Sequence, residues 1–221
     1  MIAMGDAVQI RAESAPKDGA VSLSGDLSIP DGAHGMILFA HGSGSSKISP
    51  RNRQVAGALN EAGLATLLFD LLTPEEEPDR ANVFDIPLLA ARLRAATDWW
   101  MDRRETADLP LGYFGASTGA AAALWAAADL GRAVGAMVSR GGRPDLAGPR
   151  LPEVTAPTLL IVGGRDREVL ELNEEARKLL VCPSELAVIP GATHLFEEPG
   201  ALEEVARLAT RWFMDQLGRS A

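Results

Sequence analysis

Ser117 is the residue whose surroundings most clearly suggest chemistry. It stands at the centre of Gly-Ala-Ser-Thr-Gly, a G-x-S-x-G pattern. An apolar run over 109–114 precedes this pattern and an Ala-rich helix over 118–130 follows it, which is the strand–turn–helix context of a nucleophile elbow. Side chains at Gly115 and Gly119 would collide with the neighbouring strand and helix at so sharp a turn. The sequence therefore predicts that Ser117 is a nucleophile whose hydroxyl lies at a helix N-terminus.

A serine hydroxyl is a weak nucleophile at neutral pH, so it needs an imidazole to accept its proton. The chain contains three histidines. His34 precedes a predicted strand, and His41 follows one in a His-Gly step where a structural role is favoured. His194, in the segment PGATHLF, follows the last predicted strand and lies beyond the nucleophile in sequence. We therefore predict that His194 is the base for Ser117.

The carboxylate that orients this base is predicted at Asp166, with an alternative at Asp145. Asp166 ends the segment LLIVGGRD directly after the penultimate strand, and its Gly-Gly step lets the backbone approach the histidine loop closely. Asp145 follows the preceding strand, seven residues beyond Val138 and after a proline, so its reach is less certain. The predicted catalytic set is Ser117, Asp166 and His194, and Asp145 stays open as the acid.

Nucleophilic attack on a carbonyl also needs two N–H donors aimed at the developing oxyanion. The backbone N–H of Thr118, immediately after the nucleophile, is one predicted donor. The backbone N–H of Ser43, in the turn HGSGSS after the predicted strand 36–40, is the other. The alternative role for this turn is a phosphate cradle. It lacks both G-x-x-x-x-G-K-[ST] and G-x-G-x-x-G, so an oxyanion donor is favoured.

Hydrophobic patterning predicts the elements that position these residues. Predicted strands cover 8–10, 20–29, 36–40, 65–70, 109–114, 133–138, 158–162 and 186–189. Predicted helices cover 49–63, 85–103, 118–130, 168–180 and a closing segment around 202–213. The first two strands form an antiparallel pair joined by a polar turn, and the remaining alternation predicts a doubly wound parallel sheet. The loop over 141–150 leaves no room for a helical lid, so an open site is expected.

Composition and charge exclude several classes of partner and compartment. The net charge of −9 and the absence of a Lys/Arg cluster argue against binding nucleic acid or an anionic membrane. With 221 residues, the chain is predicted to form a single domain over 1–221. It has no apolar stretch long enough to span a membrane and no signal-peptide pattern, so a cytoplasmic location is expected.

No metal and no cofactor are predicted. The single cysteine, Cys182, matches no metal-ligand spacing and is expected to be a small buried core residue. The acidic run at 75–77 is expected to be a solvated loop, because no histidine or second carboxylate motif accompanies it.

These motifs together resemble the lid-less α/β-hydrolases of the dienelactone hydrolase-like group. The resemblance rests on HGSGSS, GASTG, TLLIVGGRD and GATHLF and covers roughly residues 20–217, with the Ser…Asp…His order of α/β-hydrolases. It implies a three-layer α/β/α sandwich with a mostly parallel sheet of about eight strands, no lid domain and no cofactor. Dienelactone hydrolases carry Cys where this chain has Ser117, a difference that favours an ordinary carboxylesterase over lactone cleavage.

The sequence thus predicts a serine hydrolase that cleaves small soluble acyl esters through an acyl-enzyme. A thioesterase, an acyltransferase and a perhydrolase use the same triad and remain alternatives. A catalytically silent hydrolase-like scaffold that binds a partner is the alternative from outside enzymes, and the intact triad disfavours it. The expected partner is a small-molecule ester, and the expected assembly is a monomer or a homodimer.

Overall fold

The computed structural model describes residues 5–13, 19–103 and 108–218. Its strands are β1 (Asp6–Glu13), β2 (Ala20–Ser28), β3 (Met36–Ala40), β4 (Ala65–Phe69), β5 (Leu111–Ala116), β6 (Val134–Arg140), β7 (Thr158–Gly163) and β8 (Ser184–Ile189). Its helices are α1 (Pro50–Glu61), α2 (Arg80–Val83), α3 (Ile86–Met101), α4 (Thr118–Leu130), α5 (Arg167–Leu179) and α6 (Ala201–Leu217). Most of the predicted turn between the first two strands lies outside the described residues.

The strands form one eight-stranded sheet in the order β1-β2-β4-β3-β5-β6-β7-β8. The pairs β1–β2 and β2–β4 are antiparallel, and every other pair is parallel. This confirms the predicted mostly parallel sheet and its opening antiparallel pair. Because parallel strands end at the same edge, the segments that follow β3, β5, β6, β7 and β8 all emerge there. Ser117 follows the central strand β5 and therefore lies in the middle of that edge.

Helices cover both faces of the sheet, which produces two cores. One core joins the sheet to α3, α4 and α5, and the other joins it to α1 and α6. The continuous apolar run of β3 is buried along its whole length, as expected for a strand covered on both sides. On the second face Phe39 and Phe114 stack with ring centroids 4.8 Å apart. Burying a side chain of this size contributes about 1.5–3 kcal/mol to stability.

Local signals in the sequence explain where several helices begin. Ser49 caps α1, because its hydroxyl accepts a hydrogen bond from the Asn52 N–H, and Pro50 occupies the first turn. Asp85 caps α3 in the same way, through the Leu88 N–H at 3.0 Å. Ser and Asp are both residue types preferred at helix N-caps.

Two short segments differ from the prediction. The stretch predicted as a loop before β7 contains two 3₁₀ helices over Pro144–Glu153, joined at Gly148 with φ 30°. Pro149 and Pro152 lack the N–H groups that a regular α-helix would need there. A four-residue helix, α2, also follows the acidic loop, capped by Asp79. Within that loop the expectation of a solvated run is wrong at Glu76, which is buried and binds the buried Arg92. Cys182 is buried, as predicted.

Candidate active site

Ser117 occupies a strained turn between β5 and α4. Its φ is 51° and its ψ is −124°, a combination that side chains other than glycine rarely adopt. The flanking glycines are required by crowding. A Cβ at Gly115 would lie 2.4 Å from the Ala120 Cα, and one at Gly119 would lie 2.2 Å from the Ala40 carbonyl oxygen. The predicted steric reason for the G-x-S-x-G pattern is confirmed.

Backbone groups from two neighbouring strand ends hold this turn. The Ser117 N–H donates to the Arg140 carbonyl at 3.3 Å, and the Arg143 N–H donates to the Ser117 carbonyl at 3.0 Å. From the other side, a Cβ at Gly42 would lie 2.7 Å from the Ser117 Cβ. The nucleophile candidate is therefore fixed by the ends of β3 and β6 as well as by its own strand.

His194 and Asp166 are brought together at the same edge of the sheet. The His194 Nδ1 lies 2.6 Å from the Asp166 Oδ2, and because a carboxylate only accepts, Nδ1 carries the proton. Their loops pack backbone to backbone. The Arg165 N–H donates to the Ala192 carbonyl at 2.9 Å, and a Cβ at Gly163 would lie 2.5 Å from that same oxygen. The expected close approach of these two loops is what the structure contains.

Asp145, the alternative acid, has a different partner. The Arg143 Nε and Nη2 donate to its two carboxylate oxygens at 2.9 and 2.8 Å, a bidentate pair. The hydrogen bond to Asp145 raises the pKa of Arg143. The structure thus places Asp166, and not Asp145, against His194.

The turn that carries His194 has its own support, which the sequence analysis missed. The Glu198 carboxylate accepts the Thr193 N–H at 3.0 Å. This backbone hydrogen bond is the first cause of the lowered pKa of Glu198. Phe196, two residues after the histidine, is buried with φ 56°. The presence of Glu198 shortly after His194 is the sequence feature that could have indicated this support for the turn.

The second ring nitrogen of His194, Nε2, is the one that could accept a proton from Ser117. Within the described residues, no hydrogen bond joins the Ser117 hydroxyl to His194, and the Nε2 of His194 has no partner. The His194 side chain is 39% exposed, whereas that of Asp166 is 16% exposed. Hydrogen bonds between catalytic groups are often long before substrate binds. The arrangement therefore leaves Nε2 available to the serine hydroxyl, and the triad remains a prediction.

The two predicted oxyanion donors lie side by side. The Ser43 N–H donates to the Thr118 Oγ1 at 3.0 Å, so the loop after β3 is tied to the first residue of α4. The Thr118 N–H is in the first turn of that helix, where an N–H has no acceptor within the helix. A substrate oxyanion that uses Ser43 would share or replace the threonine hydroxyl. No pattern in the sequence predicts this contact.

A cavity of about 100 Å³ adjoins these donors. The Gly/Ser turn after β3 and Thr118 form one wall, and the loop after β4 forms another. Its apolar lining consists of Leu71, Leu72, Pro74, Val83 and Leu89. The cavity is thus a small, partly apolar space next to the predicted oxyanion position.

His41 has the structural role that was favoured for it. Its Nε2 accepts the Leu71 N–H at 3.1 Å, and its Nδ1 donates to the Gly42 carbonyl at 3.0 Å. Burial lowers the pKa of His41, against smaller opposing effects of the Gly42 hydrogen bond, Asp70 and Glu77. His34 lies near the Met214 sulfur at 3.0 Å on an exposed surface.

Two features are absent from the part of the chain that the structure describes. No group of three or more His, Cys, Asp or Glu side chains in that part of the chain could hold a metal ion. Among the described helices, none is both long and apolar enough to cross a membrane.

Solved structures similar to this chain include hydrolases. A dienelactone hydrolase from Anabaena variabilis is 55% identical, with a TM-score of 0.88, over 96% of this chain and 98% of its own. An alpha-beta serine hydrolase homologue from Coxiella burnetii is 20% identical, with a TM-score of 0.77, over 96% of this chain and 98% of its own. The second likeness shows the fold alone.

A curated relative from Mycobacterium tuberculosis is 63% identical over 199 residues and carries the provisional name phosphoribosyl transferase. The match covers 90% of this chain but 45% of that protein, so the chain spans about half the length of this relative. No family model matches the sequence.

Proposed function

The chain belongs to the dienelactone hydrolase-like group of α/β-hydrolases, and from that premise we propose that it is a serine carboxylesterase acting on small acyl esters. The observation that supports this most directly is the 2.6 Å contact between His194 and Asp166. It lies at the same sheet edge as the strained turn of Ser117. A serine, an oriented imidazole and N–H donors for the oxyanion are the parts that acyl transfer requires.

In the proposed reaction, the His194 Nε2 accepts the Ser117 proton as the serine oxygen bonds to the ester carbonyl carbon. The N–H groups of Ser43 and Thr118 stabilise the resulting oxyanion. The carbonyl re-forms as the alkoxide leaves, and the imidazolium gives it the proton. Water then attacks the acyl-enzyme with His194 again as base, which releases the acid and restores Ser117. Asp166 holds the ring with Nδ1 protonated throughout.

No observation favours any of the alternative functions that the sequence left open. The thioesterase, acyltransferase and perhydrolase reactions share every step up to the acyl-enzyme, so the acceptor that resolves it distinguishes them. Phosphoribosyl transfer is named only for a relative about twice as long.

The nucleophile assignment is tested by covalent labelling. A fluorophosphonate should label Ser117, and Ser117→Ala should abolish labelling and lower esterase activity by about 10⁴-fold or more. Ser139→Ala is a matched control, because this buried hydroxyl lies one residue before the end of the neighbouring strand β6 and has no hydrogen-bond partner among the described residues. The control should keep both properties. Labelling that persists in Ser117→Ala would rule out this nucleophile.

The size of the substrate is tested with esters of increasing acyl length. The cavity of about 100 Å³ is small beside the roughly 300–1,000 Å³ of sites for drug-sized ligands. We therefore expect kcat/KM for p-nitrophenyl acetate or butyrate to exceed that for palmitate. A clear preference for palmitate, or activation at a lipid interface, would contradict the proposal of a small-ester substrate.

A further inference from the structure

Arg140, the last residue of β6, has an unusual environment. Its guanidinium lies over the Phe114 ring, with Cζ 6.0 Å from the ring centroid. Among the described residues it makes no hydrogen bond and no ion pair, and its Nη1 is fully buried without a partner. The residue as a whole is only partly buried, so solvent is not sealed away from it.

The charge that acts on this guanidinium is another positive charge. Burial, and after it the charge of Arg51, lowers the pKa of Arg140 to about 10, so Arg140 stays protonated at neutral pH. Arg51 lies in the first turn of α1. Its Nη1 is 3.3 Å from the carboxylate of Glu197, which is 65% exposed, and its Nε is buried without a partner. Two guanidinium groups thus share this region with one peripheral carboxylate.

Arg92, a buried arginine elsewhere in the chain, has the carboxylate partner that Arg140 lacks. Arg92 is 1% exposed and binds the buried carboxylate of Glu76 at 2.5 Å. Charged groups taken out of water are normally paired in this way, because an unpaired one is strongly destabilising. Arg140 has no such carboxylate within the described residues. The described residues therefore supply no negative charge to pair with the Arg140 guanidinium.

The chemistry of the region specifies the missing group. Guanidinium groups donate two parallel N–H bonds to carboxylate or phosphate oxygens. The first turn of α1 adds the positive end of a helix dipole. We propose that Arg140 and Arg51 form a binding site for a small oxyanion, a carboxylate or a phosphate.

The site lies close to the candidate catalytic groups but does not require them. The carbonyl of Arg140 accepts the Ser117 N–H, and a Cβ at the next residue, Gly141, would be 3.2 Å from the His194 carbonyl oxygen. The oxyanion has two sources: a free ion, or an acidic group on an ester that reaches Ser117. The inference goes beyond the esterase proposal, because anion binding is measured without hydrolysis.

The test is a thermal melt of the full chain in increasing inorganic phosphate or acetate at constant ionic strength. Wild type should show a saturable rise in Tm of about 5 °C at roughly a hundredfold excess over Kd. Arg140→Met should lose this rise and, without added anion, melt at or above the wild-type temperature, because an unpaired charge has been removed. Arg207→Met is the matched control, since Arg207 already pairs with Glu204 on the surface of α6. It should keep the full rise.

A second variant and a kinetic comparison sharpen the result. Arg51→Met should weaken phosphate binding at least tenfold while Ser117→Ala binds as wild type, which separates this site from the esterase proposal. If phosphate raises KM for a p-nitrophenyl hemisuccinate but not for the neutral butyrate, an acidic group of the ester occupies the site. If KM for both is unchanged, the occupant is a free ion. Equal Tm shifts in wild type and Arg140→Met, or no saturable shift, would overturn the proposal.

Discussion

Two histidines follow strands at the same edge of the sheet, and their surroundings differ in every respect that matters for proton transfer. His41 uses both ring nitrogens on backbone groups, the Leu71 N–H and the Gly42 carbonyl. His194 uses Nδ1 on the carboxylate of Asp166 and leaves Nε2 without a partner among the described residues. Position after a strand is therefore not what distinguishes a base from a structural histidine.

The two histidines differ because their hydrogen-bond partners affect the tautomer and the protonation of the imidazole differently. A neutral imidazole held between a backbone donor and a backbone acceptor keeps one tautomer and resists protonation, and burial lowers the pKa of His41 accordingly. A carboxylate on Nδ1 fixes the opposite nitrogen as the acceptor and stabilises the imidazolium once it forms. The same side chain is thus a structural linker in one loop and a candidate base in the other.

Replacing each histidine by glutamine gives the largest test of this contrast. His194→Gln should lower kcat by about 10⁶-fold, the size reported when a triad base is removed. His41→Gln should lower kcat by less than about 10²-fold in the folded enzyme, because Gln can still accept the Leu71 N–H. Steady-state hydrolysis of p-nitrophenyl butyrate, with the folded fraction checked by circular dichroism, measures both. Comparable losses in the two variants would remove the distinction.

The orienting acids offer a second, smaller contrast. Asp166→Asn should lower kcat by about 10⁴-fold near neutral pH, because an amide favours the wrong tautomer of His194. Asp145→Asn should keep activity within about tenfold, since Asp145 is bound by Arg143 instead. Initial rates at saturating ester are the measurement. The reverse pattern would make Asp145 the functional acid and the 2.6 Å contact of Asp166 a structural one.

The smallest expected effect is on how the free energy of unfolding depends on pH. Because its folded pKa is lowered, His41 takes up a proton less readily when folded than when unfolded. Its contribution to stability is full above the unfolded pKa of about 6.5 and is lost as pH falls from there towards the folded pKa. The slope from this one group is at most about 1.4 kcal/mol per pH unit.

Urea unfolding between pH 7 and pH 5 measures that slope. His41→Gln should flatten it relative to wild type, whereas His34→Gln, on the exposed surface, should leave the slope unchanged. An identical slope in wild type and His41→Gln would mean that other groups carry the acid sensitivity.

Much of the fold could be predicted because it depends on local sequence patterns. The continuous apolar run of β3, the Ser49 cap and the two glycines of the elbow each act on their own neighbours in sequence. The approach of Asp166 to His194 was also accessible, since both follow adjacent parallel strands and a Gly-Gly step precedes the aspartate. In each case backbone sterics or strand order was sufficient.

The pairing of side chains across loops could not be predicted in this way. The lack of a partner for Arg140 depends on how separate segments of the chain meet in space. The contact between Ser43 and Thr118 joins residues 75 positions apart. The extent of the domain, the cytoplasmic location and the oligomeric state stay predictions.

The order of these parts along the chain affects when the site exists during synthesis. Ser117 and its strand emerge first, but His194 arrives only after β8, an edge strand paired on one side with β7. Domains fold as the chain emerges from the ribosome, N-terminal parts first. Under the proposed mechanism, Ser117 of a nascent chain therefore has no base until β8 has docked. Since β8 is also partly exposed, its local release would, under the proposed mechanism, move His194 away from Ser117 before the central sheet unfolds.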